Sequence, residues 1–131
     1  MDDFKFSTNK KNNIPSICLD FKQNRIRIHK HTLHMLNNPT SLNIIINPSL
    51  KIIGFGKCPS NDPLAVKVYP SHFEPDNCYE IYSLKFLKKI LSLCKTFDTN
   101  HSYRITGSLK DDLGFAFFYL DEAIPIDEVD E

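Results

Sequence analysis

Between residues 25 and 29 the chain reads R-I-R-I-H, with an apolar side chain at every second position. That period predicts a half-buried strand, Ile26 and Ile28 on one side and Arg25, Arg27 and His29 on the other. The period changes at once. In "KHTLHMLNN" Leu33 and Leu36 stand three apart with Met35 beside them, which predicts a helix of about two turns. Asn37-Asn38-Pro39 ends it, because the residue before a proline avoids helical backbone. Upstream, "IPSICLDF" fits a short strand. Downstream, "SLNIIIN" is a continuous apolar run, so both of its faces are expected to be covered. "NPSL" is a turn and "KIIGFGK" the returning hairpin strand. Gly54 and Gly56 within it predict a bulge or a close approach of another group.

Farther along, "LAVKVYP" predicts a strand, "PSHFEPDN" a proline-rich loop and "YEIYS" another strand. "LKFLKKILSLCKTF" is the strongest helix. Leu84, Leu87, Ile90, Leu91 and Cys94 line one face, and Ser83 is placed to cap its N-terminus. "SYRITG", a polar turn at "SLKDD" and "LGFAFFYL" close the pattern as a second hairpin. The Phe115-Phe117-Tyr119 stripe is expected in the core or at an oligomer interface. Strand, helix, strand, turn, strand thus occurs twice, over 24–57 and 79–120, as a repeat of pattern rather than of residues. Neither unit can bury its apolar face alone. The expected fold is one compact α+β domain over 14–120 with antiparallel sheet, built of two β-α-β-β pseudo-repeats, preceded by an arm (1–13) and followed by an acidic tail (121–131).

Composition adds limits more than identity. At 131 residues with 41% hydrophobic and 24% charged content, the chain can bury a core unaided, so global disorder is not expected. No run approaches the roughly 18 apolar residues of a membrane span. "MDDFKFSTNKKNN" has neither an apolar segment nor a small-residue cleavage site, so no secretory leader and a cytoplasmic location are expected. Cys18, Cys58, Cys78 and Cys94 are too scattered for a C-x-x-C knuckle and are read as reduced. The net charge of zero hides an asymmetry, since residues 121–131 carry six acids and no base. The remaining body has sixteen bases and ten acids, about +6. The tail is either a solubilising terminus or a segment that covers a basic site.

His29, His31 and His34 form H-x-H-x-x-H, yet the helix turns the last two away from the first, and no acid lies close by to orient them. No metal and no cofactor are expected. Acid-base candidates are His72, Glu74, Asp76 and Glu80, but G-x-S-x-G, H-E-x-x-H and G-x-G-x-x-G are all missing. "GFGKCPS" lacks the spacing of a phosphate loop and leads into no helix, so no enzymatic activity is expected. Arg25, Arg27, Lys30 and Arg104 could present one cationic face, although DNA-binding domains are usually basic outright and this chain has a pI near 6.9. A bound phosphate calls for arginine, and a bound base for an aromatic ring. The ligand-binding candidates are therefore Arg25, Arg27, His29, Lys30, Tyr82, Tyr103 and Arg104, with Tyr103 and Arg104 on opposite faces of their strand.

Two resemblances bear on this. The "R-I-x-I-x-K" step into a short leucine helix and hairpin resembles the half-unit of swapped-hairpin transcription factors related to AbrB and MraZ, with His29 where that family usually carries proline. That resemblance implies DNA binding by a paired unit. "RIRIHKHTL", "NNP", "NIIINP" with "KIIG", "IYS" and "YRITG" together resemble a group of small proteins of Firmicutes, their phages and mobile elements. This second resemblance spans roughly residues 24–123, and proteins of this kind include sponges that capture nucleotide immune signals. The leading expectation is a non-enzymatic, homo-oligomeric binding protein for a small anionic, nucleotide-like ligand, with no membrane partner. A DNA-binding regulator and a protein-protein inhibitor are the alternatives.

Overall fold

Residues 14–69, 78–110 and 114–126 are described in the computed structural model of the chain. The arm read at 1–13, the loop residues His72, Glu74 and Asp76, and acidic positions 127–131 lie outside the described residues. The described residues begin with two strands, β1 (Ser16–Asp20) and β2 (Arg25–His29). They are antiparallel neighbours, joined through Asn24, whose φ of 55° a short polar side chain tolerates. As the alternation requires, Ile26 and Ile28 are fully buried, and Ile17 and Leu19 of β1 share their side. Helix α1 (Lys30–Met35) follows β2 without a break. Its buried Thr32 extends the pairing of β1, because Oγ1 accepts from Ser16 N at 2.9 Å and donates to Ser16 O at 3.2 Å. Asn37 and Asn38 take left-handed φ of 66° and 49°, which ends the helix ahead of Pro39.

The hairpin β3 (Ser41–Asn47) and β4 (Ile52–Lys57) comes next, then the two-residue β5 (Val66–Lys67), all that forms of the strand read in "LAVKVYP". Strand β6 (Cys78–Tyr82) leads into helix α2 (Leu84–Leu93). Ser83 Oγ accepts from Phe86 N at 3.3 Å and satisfies one of the free amides of the first turn. Leu87, Ile90 and Cys94 are buried, whereas Leu84 is half exposed. The chain then forms β7 (Ser102–Thr106), β8 (Ser108–Lys110) and β9 (Phe115–Tyr119), a 3-10 turn at Leu120–Glu122, and β10 (Ile124–Pro125). Residues 121–126, read from the sequence as the start of a tail, therefore belong to the folded body.

Two five-stranded antiparallel sheets result, ordered β10-β7-β1-β2-β6 and β5-β3-β4-β9-β8. Together with the helices they make a mixed α+β domain. Ile17, Leu19, Ile26, Ile28 and Ile105 of the first sheet share one core with Leu42, Ile53, Phe55, Ala116 and Phe118 of the second. β7 and β8 are one run of chain bent at Gly107, so its first half pairs with β1 in one sheet and its second with β9 in the other. Only glycine fits the bend, because a Cβ there would sit 2.1 Å from Phe117 O and 2.6 Å from the Phe118 ring. "SLK" reads as part of a polar turn because only one apolar residue, Leu109, stands among Ser, Lys and the two aspartates that follow. What makes it a strand is its partner, β9.

The two sequence units are not disposed alike. The first puts β3 and β4 together in the second sheet, while the second divides between sheets at Gly107. The isoleucine run is covered on one side only. Ile44 and Ile46 pack against the core and Ile45 is 49% exposed. Phe115, Phe117 and Tyr119 likewise lie outside the core, which takes Ala116 and Phe118 from that strand. Among the described residues no helix is long and apolar enough to cross a membrane.

Candidate functional site

Because alternate residues of β1, β2, β6 and β7 face the core, the others share the opposite face of the first sheet. Strand register arranges them in rows. Arg104 and Arg27 both lie opposite Cys18, one from each neighbouring strand, and Glu80 follows Arg27. In the next row Ser102, Asp20, Arg25 and Tyr82 stand side by side. One step the other way, His29 is opposite Cys78. Two interstrand spacings separate the Cα atoms of Arg27 and Arg104, about 10 Å. These rows floor a concavity of about 460 Å³, with Ile126, beyond β10, at its margin. Ile126 N donates to Ser102 O at 3.0 Å.

The arginines are not equivalent. Arg25 Nε lies 2.7 Å from Asp20 Oδ2, and its Nη1 lies 2.6 Å from Glu80 Oε2. Arg27 Nε is 3.2 Å from the same Glu80 oxygen, and Tyr82 OH donates to Oε1 at 2.8 Å. Asp20 Oδ1 also accepts from Gln23 N at 3.2 Å and from Ser102 Oγ at 3.4 Å. Partial burial works against the Arg25 charge. The Asp20 and Tyr82 hydrogen bonds and the Glu80 and Asp20 charges outweigh it, so its pKa is raised. Arg104 is exposed and makes no side-chain ion pair among the described residues. With Lys22 at the margin, four cations meet two carboxylates on this face, and the surplus lies on the Arg104 side.

Of the seven candidates from the sequence, Arg25, Arg27, His29 and Arg104 line the concavity. Tyr82 lies opposite Arg25 on the same face but does not line the concavity; it is 63% exposed, with its hydroxyl tied to Glu80. Lys30 opens α1 and lines a different hollow of about 330 Å³ with Leu33, His34 and Asn38. Tyr103 is on the core side of β7. Its ring packs 4.8 Å from Phe97 and 5.9 Å from Phe21, and its hydroxyl accepts from Asp98 N. The sheet itself separates that ring from the cationic face, so it cannot stack on a ligand there.

Of the three histidines, His29 and His31 stay close, their ring centroids 5.3 Å apart, while His34 stands apart. His29 Nδ1 lies 3.8 Å from Cys78 Sγ, His31 Nε2 lies 2.8 Å from Ile14 O, and His34 is exposed. Among the described residues no group of three His, Cys, Asp or Glu side chains could hold a metal. Cys18, Asp20, Cys78 and Ser102 were missed as site residues. The parity of "SICLD" does turn Cys18 and Asp20 to one face, but only the pairing partners bring Arg104 and Cys78 to that face.

The chemistry on offer is anion binding. Guanidinium groups on both sides of Cys18 can each give paired N–H donors to one phosphate or carboxylate, and Glu80 and Asp20 hold their neighbours in place. No protein-family model matches the chain, and comparison with curated proteins and with solved structures finds no match.

Proposed function

We propose that this protein binds a small anionic, nucleotide-like ligand in the concavity of its first sheet and sequesters it without chemical change. The observation that carries the reading is the placement of Arg27 and Arg104 on either side of Cys18, inside a hollow of about 460 Å³. That volume lies in the range typical of small-molecule sites, about 300–1,000 Å³. Arg104 makes no side-chain ion pair among the described residues, and Arg27 stands across Cys18 from it with Nε 3.2 Å from Glu80. Tyr82 is the exposed aromatic ring beside the row. The resemblance to small proteins of phages and mobile elements makes a sponge for a nucleotide immune signal in the cytoplasm the role we favour.

Calorimetry against cyclic nucleotides, ADP-ribose derivatives and nucleoside phosphates tests the proposal. Nanomolar-to-micromolar binding with the ligand recovered intact is expected. A folded protein that binds none of them overturns it. The AbrB-like reading predicts instead a mobility shift with duplex DNA that weakens steeply between two salt concentrations.

A further inference from the structure

The outer face of the second sheet is the reverse of the first in character. Its rows are Asn43–Gly56–Phe115–Lys110, Ile45–Gly54–Phe117–Ser108 and Asn47–Ile52–Tyr119. Ile45 is 49% and Tyr119 47% exposed, and Phe115 and Phe117 are partly so. The two phenyl rings stack 5.8 Å apart with planes 17° from parallel. They lie flat because of what is beneath them. A Cβ on Gly56 would meet the Phe115 ring at 2.4 Å, and one on Gly54 would meet Phe117 at 3.3 Å. The strand glycines that suggest a close approach thus receive aromatic rings, and the outcome is a level apolar platform rather than a groove.

The geometry points to this platform as the contact surface for a second copy of the chain, packed sheet against sheet about a two-fold axis along the strands. Charge favours that occupant. Among the described residues the three rows carry one charged side chain, Lys110 at a corner, and Lys67 of β5 lies beside Ser41 at the opposite edge, so the apolar centre offers a charged partner little. A polyanion would find stacking rings but no basic track. About a two-fold axis between β4 and β9, Lys110 of one copy falls over Asn43 of the other, where an amide oxygen can accept from the ammonium. The two copies of Lys110 fall on opposite edges in that arrangement. Size agrees as well. Four strands about 4.8 Å apart and about five residues long cover roughly 300 Å² in plane. That suits the apolar centre of an interface of about 800 Å² per partner, with Asn43, Asn47 and Ser108 as its polar rim. Aligned sheets pack in this manner about 10 Å apart. The surface lies on the far side of the core from the cationic concavity, so it stands independently of the ligand reading.

Sedimentation equilibrium from about 1 μM to about 1 mM, the span of modest self-association, provides the test. The expected mass rises from the 15.1 kDa of one chain to twice that. The Ile45→Lys/Tyr119→Lys double variant should remain one chain throughout, with the far-ultraviolet circular dichroism of the parent. Both sites are exposed in the single chain, so neither substitution opens the core. As a second readout on the unaltered protein, Ile45 and Ile52 methyl resonances should shift with concentration. A parent protein of single-chain mass over the whole range overturns the inference, whether the face is bare or covered by residues 1–13. So does a dimer that forms equally well in the double variant, or one whose formation leaves both methyl resonances unmoved.

Discussion

Glu80 holds the cationic face together while lowering its charge, so replacing it separates stability from ligand affinity. Glu80→Gln keeps the shape and removes the charge. In the parent, Oε2 serves Arg25 at 2.6 Å and Arg27 at 3.2 Å, and Oε1 accepts from Tyr82. The side chains are only partly screened, with 9% of Glu80, 16% of Arg25 and 21% of Arg27 exposed. Breaking a fully buried pair costs about 3–5 kcal/mol, and losing an exposed one at most about 1. This site lies between those limits, and Arg25 retains Asp20 at 2.7 Å, so the expected loss is about 2 kcal/mol. For a domain of this size that lowers Tm by roughly 6–10 °C. Affinity should move the other way. One negative charge fewer at about 7 Å from a bound anion, at an effective dielectric near 40, is worth about 1 kcal/mol, or roughly fivefold tighter binding. Urea denaturation followed by circular dichroism reads the first effect, and calorimetry with whichever nucleotide the parent binds reads the second. A stability change below about 0.5 kcal/mol would show that the network is a surface feature. Weaker rather than tighter binding by a folded Glu80→Gln would refute the electrostatic reasoning.

Two further outcomes concern the frame around the site. Gly107→Ala places a methyl group against the Phe117 carbonyl and the Phe118 ring, so the joint between the sheets must open; a loss of roughly 3 kcal/mol or failure to fold is expected, measured by thermal denaturation. Burial raises the Cys94 thiol above its ordinary 9.0 and the Tyr79 hydroxyl above its ordinary 10.0. Between the unfolded and folded values the native state holds protons that the unfolded chain has lost, so stability is fully present below pH 9 and falls as pH rises beyond it. Urea midpoints across that range should decline, and Tyr79→Phe should flatten the part of the decline above pH 10. A midpoint constant from pH 8 to 11 would contradict this.

The parts of the fold written in local periodicity were legible. Arg25, Arg27 and His29 could be put on one face because "RIRIH" alternates, and Ser83 is a cap because its oxygen serves an amide three residues on. The remainder depends on partners distant in sequence. Nothing in "SYRITG" announces that Arg104 will lie opposite Cys18, because that register is set by β1 inserting between β7 and β2. Alternation did separate Arg104 from Tyr103. It could not say which of the two faces inward, and the answer is the ring, held by Phe21 and Phe97. Lys30 continues the cationic run in sequence and leaves it in space, because the chain turns into α1 at that residue. The "NIII" run reads as covered on both sides, yet burial needs a neighbour, and among the described residues the second sheet has one on its inner face alone.

In the proposed function Arg27 and Arg104 grip one anion from opposite sides of Cys18. Calorimetry on Arg27→Ala, Arg104→Ala and the double variant, with the best ligand of the nucleotide panel, tests it most directly. Charge-assisted hydrogen bonds of about 1.5–3 kcal/mol predict a loss of roughly 10- to 150-fold for each single variant. Because both side chains would hold the same group, the double variant should lose less than the product of the two. Parent-like affinity in folded Arg104→Ala, or losses that simply multiply, would contradict the account.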